Sequence, residues 1–181
     1  MKSQTPQSTF ARLFGPLLAA VVLAGPACVS IPDEGGPVTL ATHVDDWRDE
    51  VIYQVLVDRF ANGDVNNDYL VKPGALARYQ GGDWKGMEDH LDYIQSLGVT
   101  TLWISPVVRN VETDADVDGY HGYWAQDLTQ TNPHFGDIVS LRSMIRAAHA
   151  LKMKVVLDIV TNHMGQVFFY DMNLNGTPDI Y

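Results

Sequence analysis

Among its 181 residues the chain has a single cysteine, Cys28. No intrachain disulfide can therefore form, and stability has to come from a packed core. Basic residues are scarce: 12 Lys and Arg stand against 22 Asp and Glu, for a net charge of −10 and a pI near 4.8. With no local Lys/Arg cluster to override that balance, nucleic acid is not an expected partner. No glycine-rich phosphate loop follows the first apolar strand-like run, which removes support from a dinucleotide-binding fold. Long apolar runs are confined to the N-terminus, and "LFGPLLAAVVLAG" is too short to span a bilayer as a mature helix.

That segment, flanked by Lys2 and Arg12 and followed by "AGPA" and Cys28, reads as a bacterial export signal over residues 1–28. Two processing routes fit it. Cleavage after Ala27 gives plain secretion. Lipidation of Cys28 gives a lipoprotein, although Gly25 stands where such signals usually carry Leu. The expected location is outside a bacterial cell, secreted or periplasmic, or on its outer membrane or surface. Membrane contact is expected only through a lipid at Cys28. Residues 29–46 follow, opening with "VSIPDEGGPVTLATH", a tether rather than an element.

The chain as a whole has the balance of a globular protein, 46% hydrophobic and 19% charged. "VIYQVLV" (51–57), "TTLWIS" (100–105) and "VVLDIV" (155–160) are apolar, β-branched runs of strand length. Between the first two lies "KGMEDHLDYIQSLG", with Met87, Leu91, Ile94 and Leu97 on one helical face and Gly98 as the C-terminal stop. Between the last two, Ile138, Leu141, Ile145 and Ala148 are in helical register behind an N-cap at Asp137. Apolar strands alternating with amphipathic helices indicate parallel βαβ units, the α/β class. Polar and aromatic residues gather after each strand, as in a (β/α)8 barrel, which needs eight units and ~250 residues. The expectation is the N-terminal three βα units of a TIM barrel over residues 47–163, cut short at residues 164–181.

Three loops carry candidate chemistry. In "DRFANGDVNNDYL" and the following "GGDWKG", Asn62, Asp64, Asn67, Asp68 and Asp83 offer the hard oxygens that calcium takes. Spacing alone favours reading them simply as turn residues. In "DADVDGYHGYWAQD", Tyr120, Tyr123 and Trp124 surround His121. Such rings stack on sugar C–H faces, or they simply cover a rim. In "DMNLNGTPDIY", Asp171, Asn173, Asn175, Gly176 and Asp179 match positions 1, 3, 5, 6 and 9 of a calcium loop, or form a turn. Asp158 sits within the third apolar run, where an unpaired charge costs several kcal/mol.

Taken in order, "VIYQVLVDRFANGD", "GGDWKGMEDHLDYIQSLGVTTLWISPV", "GYHGYWAQDLTQTNPHFGD" and "VVLDIVTNH" resemble the opening of the α-amylase family of glycoside hydrolases, from about residue 45 to 164. The resemblance implies that Asp158 is structural and supports the site. Asn162 becomes a ligand of a calcium ion at the junction with the inserted B domain, and His163 hydrogen-bonds the sugar being cleaved. Tyr123 stacks on that sugar, with His121 and Trp124 beside it. Asn62, Asp64, Asn67, Asp68, the Gly81 carbonyl and Asp83 match a second calcium site of neopullulanase-like and cyclodextrin-processing branches. Calcium is structural in this reading, and turn chemistry alone no longer explains the first loop.

The implied reaction is retaining hydrolysis of α-glucosidic bonds in starch-like glucans or maltooligosaccharides. The family's nucleophilic Asp, acid/base Glu and second Asp correspond to no residue here, so the chain contains no catalytic carboxylate and is expected to be inactive alone. Asp158 is not a substitute, since it has no partner carboxylate at the ~5 Å of a retaining pair. The alternative is a non-catalytic, sugar-binding or scaffold relative of the same superfamily. Three strands of a barrel leave an open sheet edge, so the isolated chain is expected to aggregate or stay molten.

Overall fold

The computed structural model describes residues 44–166 and Leu174. The proposed signal and lipidation site at Cys28, the tether up to residue 43, and the candidate calcium loop at Asp171, Asn173, Asn175, Gly176 and Asp179 lie outside the described residues. No described helix is long and apolar enough to cross a membrane.

Three parallel strands form the central sheet: β1 (Ile52–Val55), β2 (Thr101–Ile104) and β7 (Lys154–Leu157). Their order is β1-β2-β7, with Ile52 paired to Thr101 and Thr101 to Lys154. Between β1 and β2 run α1 (Trp84–Asp89) and α2 (Leu91–Ser96); α3 (Ile138–Ala150) leads into β7. This is the βαβαβ opening of a (β/α)8 barrel. The loop after β2 carries β3 (Val108–Asn110), paired antiparallel with β6 (Ala125–Thr131), and the short hairpin β4 (Thr113–Asp114) and β5 (Val117–Asp118).

The core lies between the sheet and the helices. Val55, Leu102 and Ile104 of the strands pack with Met87, Leu91, Ile94, Leu141, Met144 and Ala148 of the helices, and with Trp84 and Phe135 at the end where the strands finish. The helices start where the sequence dictates. Asp83 caps α1 by accepting the Gly86 N–H at 2.6 Å, and Asp137 forms a reciprocal box with Ser140 at the start of α3. Gly98, at φ +84, closes α2 by donating to the Gln95 carbonyl.

Several sequence expectations change. The predicted single helix over 85–98 breaks at His90, whose Nδ1 lies 2.8 Å from the Gly86 carbonyl while its N–H turns to Met87. The ring thus takes the carbonyl that a continuing helix would bond through its backbone. Leu97 falls past the last turn and is exposed rather than core-facing. The strands are not buried on both faces: Ile52, Gln54 and Trp103, on the face away from the helices, are open. The third strand ends at Leu157, so Asp158 stands just beyond a strand and not inside one.

Candidate functional site

The loops after β1, β2 and β7 all leave the same end of the parallel sheet, and the aromatic and polar side chains meet there. Tyr123 donates its phenol O–H to Asp158 Oδ2 at 2.7 Å. That bond supplies the partner Asp158 needs, and the neighbouring carboxylate raises the Tyr123 pKa above its ordinary value. The exposed His163 places Nε2 3.0 Å from the Tyr123 carbonyl, and its Nδ1 lies 3.5 Å from Asn162 Nδ2. Tyr123, Asp158, Asn162 and His163 therefore form one connected group across two loops.

His121 is fixed from inside the same loop. Its Nδ1 faces the Tyr123 N–H at 3.0 Å and accepts from it, so the neutral ring carries its proton on Nε2. Burial, with Arg59 nearby, lowers its pKa and favours that neutral form. The ring lies near-parallel to Tyr123 at 5.9 Å and edge-on to Trp124 at 4.5 Å, and Arg59 covers Tyr120 at 3.7 Å. Gly122 turns the loop at φ +86, where a Cβ would meet the Pro106 carbonyl at 2.6 Å. Such a surface, rings flanked by a neutral imidazole donor and acceptor oxygens, can hold a polyhydroxylated ring by stacking and hydrogen bonding.

One organising residue escaped the sequence reading. Asn110, on β3 and 2% exposed, accepts the Trp124 N–H at 2.6 Å and donates to the Val108 carbonyl at 2.8 Å. It grips the same peptide whose carbonyl faces His163. An isolated Asn after "ISPVVR" carries no periodic or spacing signal that would mark it.

The first loop folds back on itself. Asp83, fully buried, accepts the backbone N–H groups of Gly63, Asp64 and Gly86 and the Asn67 side-chain amide, at 2.6–3.3 Å. Asp64 caps the 3-10 turn Val65–Asn67 and accepts from Asn66. Asn62 Nδ2 lies 2.6 Å from Asp68 Oδ2. A Cβ on Gly81, at φ +92, would come within 2.7 Å of Asp68 Oδ1 and 2.9 Å of Asn62 Nδ2. The carboxylates of Asp64, Asp68 and Asp83 do not converge as a trio. Among the described residues no cluster of three His, Cys, Asp or Glu side chains is set to hold a metal. What does gather is Asn62, Asp68 and Gly81, with Asn67 and Asp64 joined through Asp83. Two buried oxygens there, Asn67 Oδ1 and Asp68 Oδ1, lack any donor. Orphaned acceptors of this kind suit a hard cation.

A second cluster missed by sequence ties this loop to the aromatic one. The buried His134 ring is stacked between Tyr79 at 3.5 Å and Tyr69 at 3.8 Å, and its Nε2 lies 2.9 Å from Glu112 Oε2. Glu112 is held below the ordinary carboxylate range, chiefly by that His134 contact. Four loop segments meet here, each too polar in sequence to suggest a core.

Comparison with known proteins adds identity to this geometry. The family model described as alpha amylase, catalytic domain, matches residues 54–179. An uncharacterized glycosyl hydrolase of Schizosaccharomyces pombe is 47% identical over 121 residues, 66% of this chain and 24% of that protein. A cyclomaltodextrin glucanotransferase of Niallia circulans is 38% identical over 175 residues, 88% and 24% of the two chains. Among solved structures, an Anoxybacillus α-amylase superposes with a TM-score of 0.62 at 42% identity, covering 66% of this chain and 25% of its own. The chain thus spans about a quarter of the length of these curated relatives. The comparisons overturn the expectation of export from a bacterial cell. Four fission-yeast proteins, at 42–47% identity, stand among the relatives beside the bacterial ones, so the matching motifs do not mark a bacterial protein.

Proposed function

The chain belongs to the α-amylase family of glycoside hydrolases, and from that membership we propose that it supplies one wall of a site acting on α-glucosidic bonds of starch-like glucans or maltooligosaccharides. The observation that carries the proposal is the linkage of Tyr123, Asp158 and His163 through contacts of 2.7 and 3.0 Å. In this reading the Tyr123 ring stacks on a glucose unit, held at one angle because its hydroxyl is tied to Asp158. His163 and the Nε2–H of His121 hydrogen-bond sugar hydroxyls, and Trp124 packs beside them. We assign bond cleavage to none of these residues. Asp158 is engaged with Tyr123 and serves as support.

Calcium is the ion the first loop suits. Asn62, Asp64, Asn67, Asp68, the Gly81 carbonyl and Asp83 would hold it, and Asn162 would hold another. Bound there, it supplies rigidity and neutralises carboxylate charge, and it takes no part in bond breaking. The loop then stands firm beside the aromatic wall, to which the Tyr69–His134–Glu112 contacts join it.

The test is the complete gene product containing this chain, assayed on soluble starch and maltoheptaose. Tyr123→Ala and His163→Ala should each lower kcat/KM at least about tenfold, roughly 1.4 kcal/mol of lost transition-state binding. Wild-type kinetics in both variants would remove these residues from the site.

A further inference from the structure

A second buried carboxylate, besides Asp83, faces the first loop, and the ligand set just given leaves it without a task. Asp58 is only 2% exposed. Its carboxylate accepts the Gln80 N–H at 2.9 Å and the Gly81 N–H at 3.3 Å, and its main-chain carbonyl accepts the Gly82 N–H at 2.9 Å. Residue 58 therefore grips three successive amides, 80 to 82. Its charge is balanced by Arg59, whose Nε lies 2.8 Å from Asp58 Oδ2. The same guanidinium donates to the Leu76 and Arg78 carbonyls at 2.8 and 3.0 Å. The middle residue of the gripped trio, Gly81, sits at φ +92 against Asp68 and Asn62, with no room for a Cβ.

We propose that Asp58 is a positioning residue for the calcium loop: it contributes no ligand, but holds Gly81 against Asn62 and Asp68 before any ion arrives. The inference rests on the calcium reading above. Without the carboxylate, the Gln80 and Gly81 N–H groups lose their acceptor. The Gln80 side chain and the Gly82 N–H still anchor the segment on either side, but Gly81 itself is no longer fixed and the ligands lose their set spacing. Partners that orient metal ligands from behind typically account for about 10–100-fold in affinity.

Calorimetric titration of the complete gene product containing this chain with calcium, at low micromolar concentration, tests this on wild type, Asp58→Ala and Asp58→Asn. Asp58→Ala should weaken calcium at least about tenfold. Asp58→Asn keeps an acceptor oxygen for the Gln80 and Gly81 N–H groups and should recover part of that loss. Equal affinity in wild type and Asp58→Ala overturns the inference while calcium stands. Equal losses in both variants also overturn it, since Asp58 would then act by charge alone. A wild-type chain that binds no calcium removes the calcium reading, and the inference with it. Amide hydrogen exchange on the calcium-free wild type needs no variant to fold. Protection at Gln80 and Gly81 is expected, and exchange at free-peptide rates would contradict the positioning role.

Discussion

Between Asp114 and Val117 the chain reverses in two residues, Ala115 and Asp116, at φ +47 and +64. Both central positions of this tight hairpin are left-handed, the conformation that Asn and Gly adopt readily and Ala does not. Asp116 is compensated by its ion pair with Arg78, whereas Ala115 has no such return. Ala115→Asn should therefore stabilise the protein by about 1 kcal/mol, read as a shift in the midpoint of urea unfolding, and Ala115→Val should destabilise it. This strain is not legible from the residues alone, because "DAD" lacks the Asn-Gly pair that announces such a turn. At the same scale, Tyr123, His163 and Asn162 were legible because they sit in order within motifs. The bond from Tyr123 to Asp158 was not, since it joins positions 35 apart that only the fold brings together. Asn110 and His134 were invisible for the same reason: the contacts that matter, to Trp124 and to Glu112, join positions 14 and 22 apart.

At the opposite end of the sheet from the aromatic wall, Glu50 joins all three strands. Its carboxylate accepts from the Thr100 and Thr101 hydroxyls at 2.6 and 2.8 Å and from Lys154 Nζ at 2.7 Å. Lys154 and the two hydroxyls hold the Glu50 pKa down at about 2, against an ordinary 4.5. A carboxylate whose folded pKa lies below its unfolded one stabilises the fold above the unfolded value. The contribution fades as pH falls from about 4.5 through about 2. Glu50→Gln should thus lower the melting temperature at pH 7 and make little difference near pH 2, so the two stability curves converge on acidification. Parallel curves would show that Glu50 does not couple the strands. Element types and order were readable from apolar periodicity, since βαβ patterning is local. Boundaries were less so: the break at His90 depends on a side-chain contact with Gly86, and the end of β7 at Leu157 on where pairing with β2 stops.

Taken whole, the described sheet pairs β2 on both sides, but β1 and β7 on one side each. Its face away from the helices leaves Ile52 at 47% and Trp103 at 37% exposure. An unpaired edge beside open apolar surface favours self-association. A net charge of −10 opposes it. The balance is set by ionic strength, because charge repulsion reaches about 30 Å at ~10 mM salt and only about 3 Å at ~1 M. The 181-residue chain should accordingly associate, least at low salt and more strongly as salt rises, followed by light scattering; association that weakens with salt would place polar contacts, not the open sheet, in control. In its dispersed form the chain should bind maltooligosaccharide weakly and release no reducing sugar from starch or pullulan. The physical ground is that Asp158, the carboxylate joined to the aromatic wall among the described residues, is engaged by Tyr123, whereas retaining cleavage requires two carboxyls ~5 Å apart, each with a chemical role. Sustained turnover by the purified chain, unchanged in Asp158→Asn, would mean that bond cleavage draws on carboxylates elsewhere in these 181 residues.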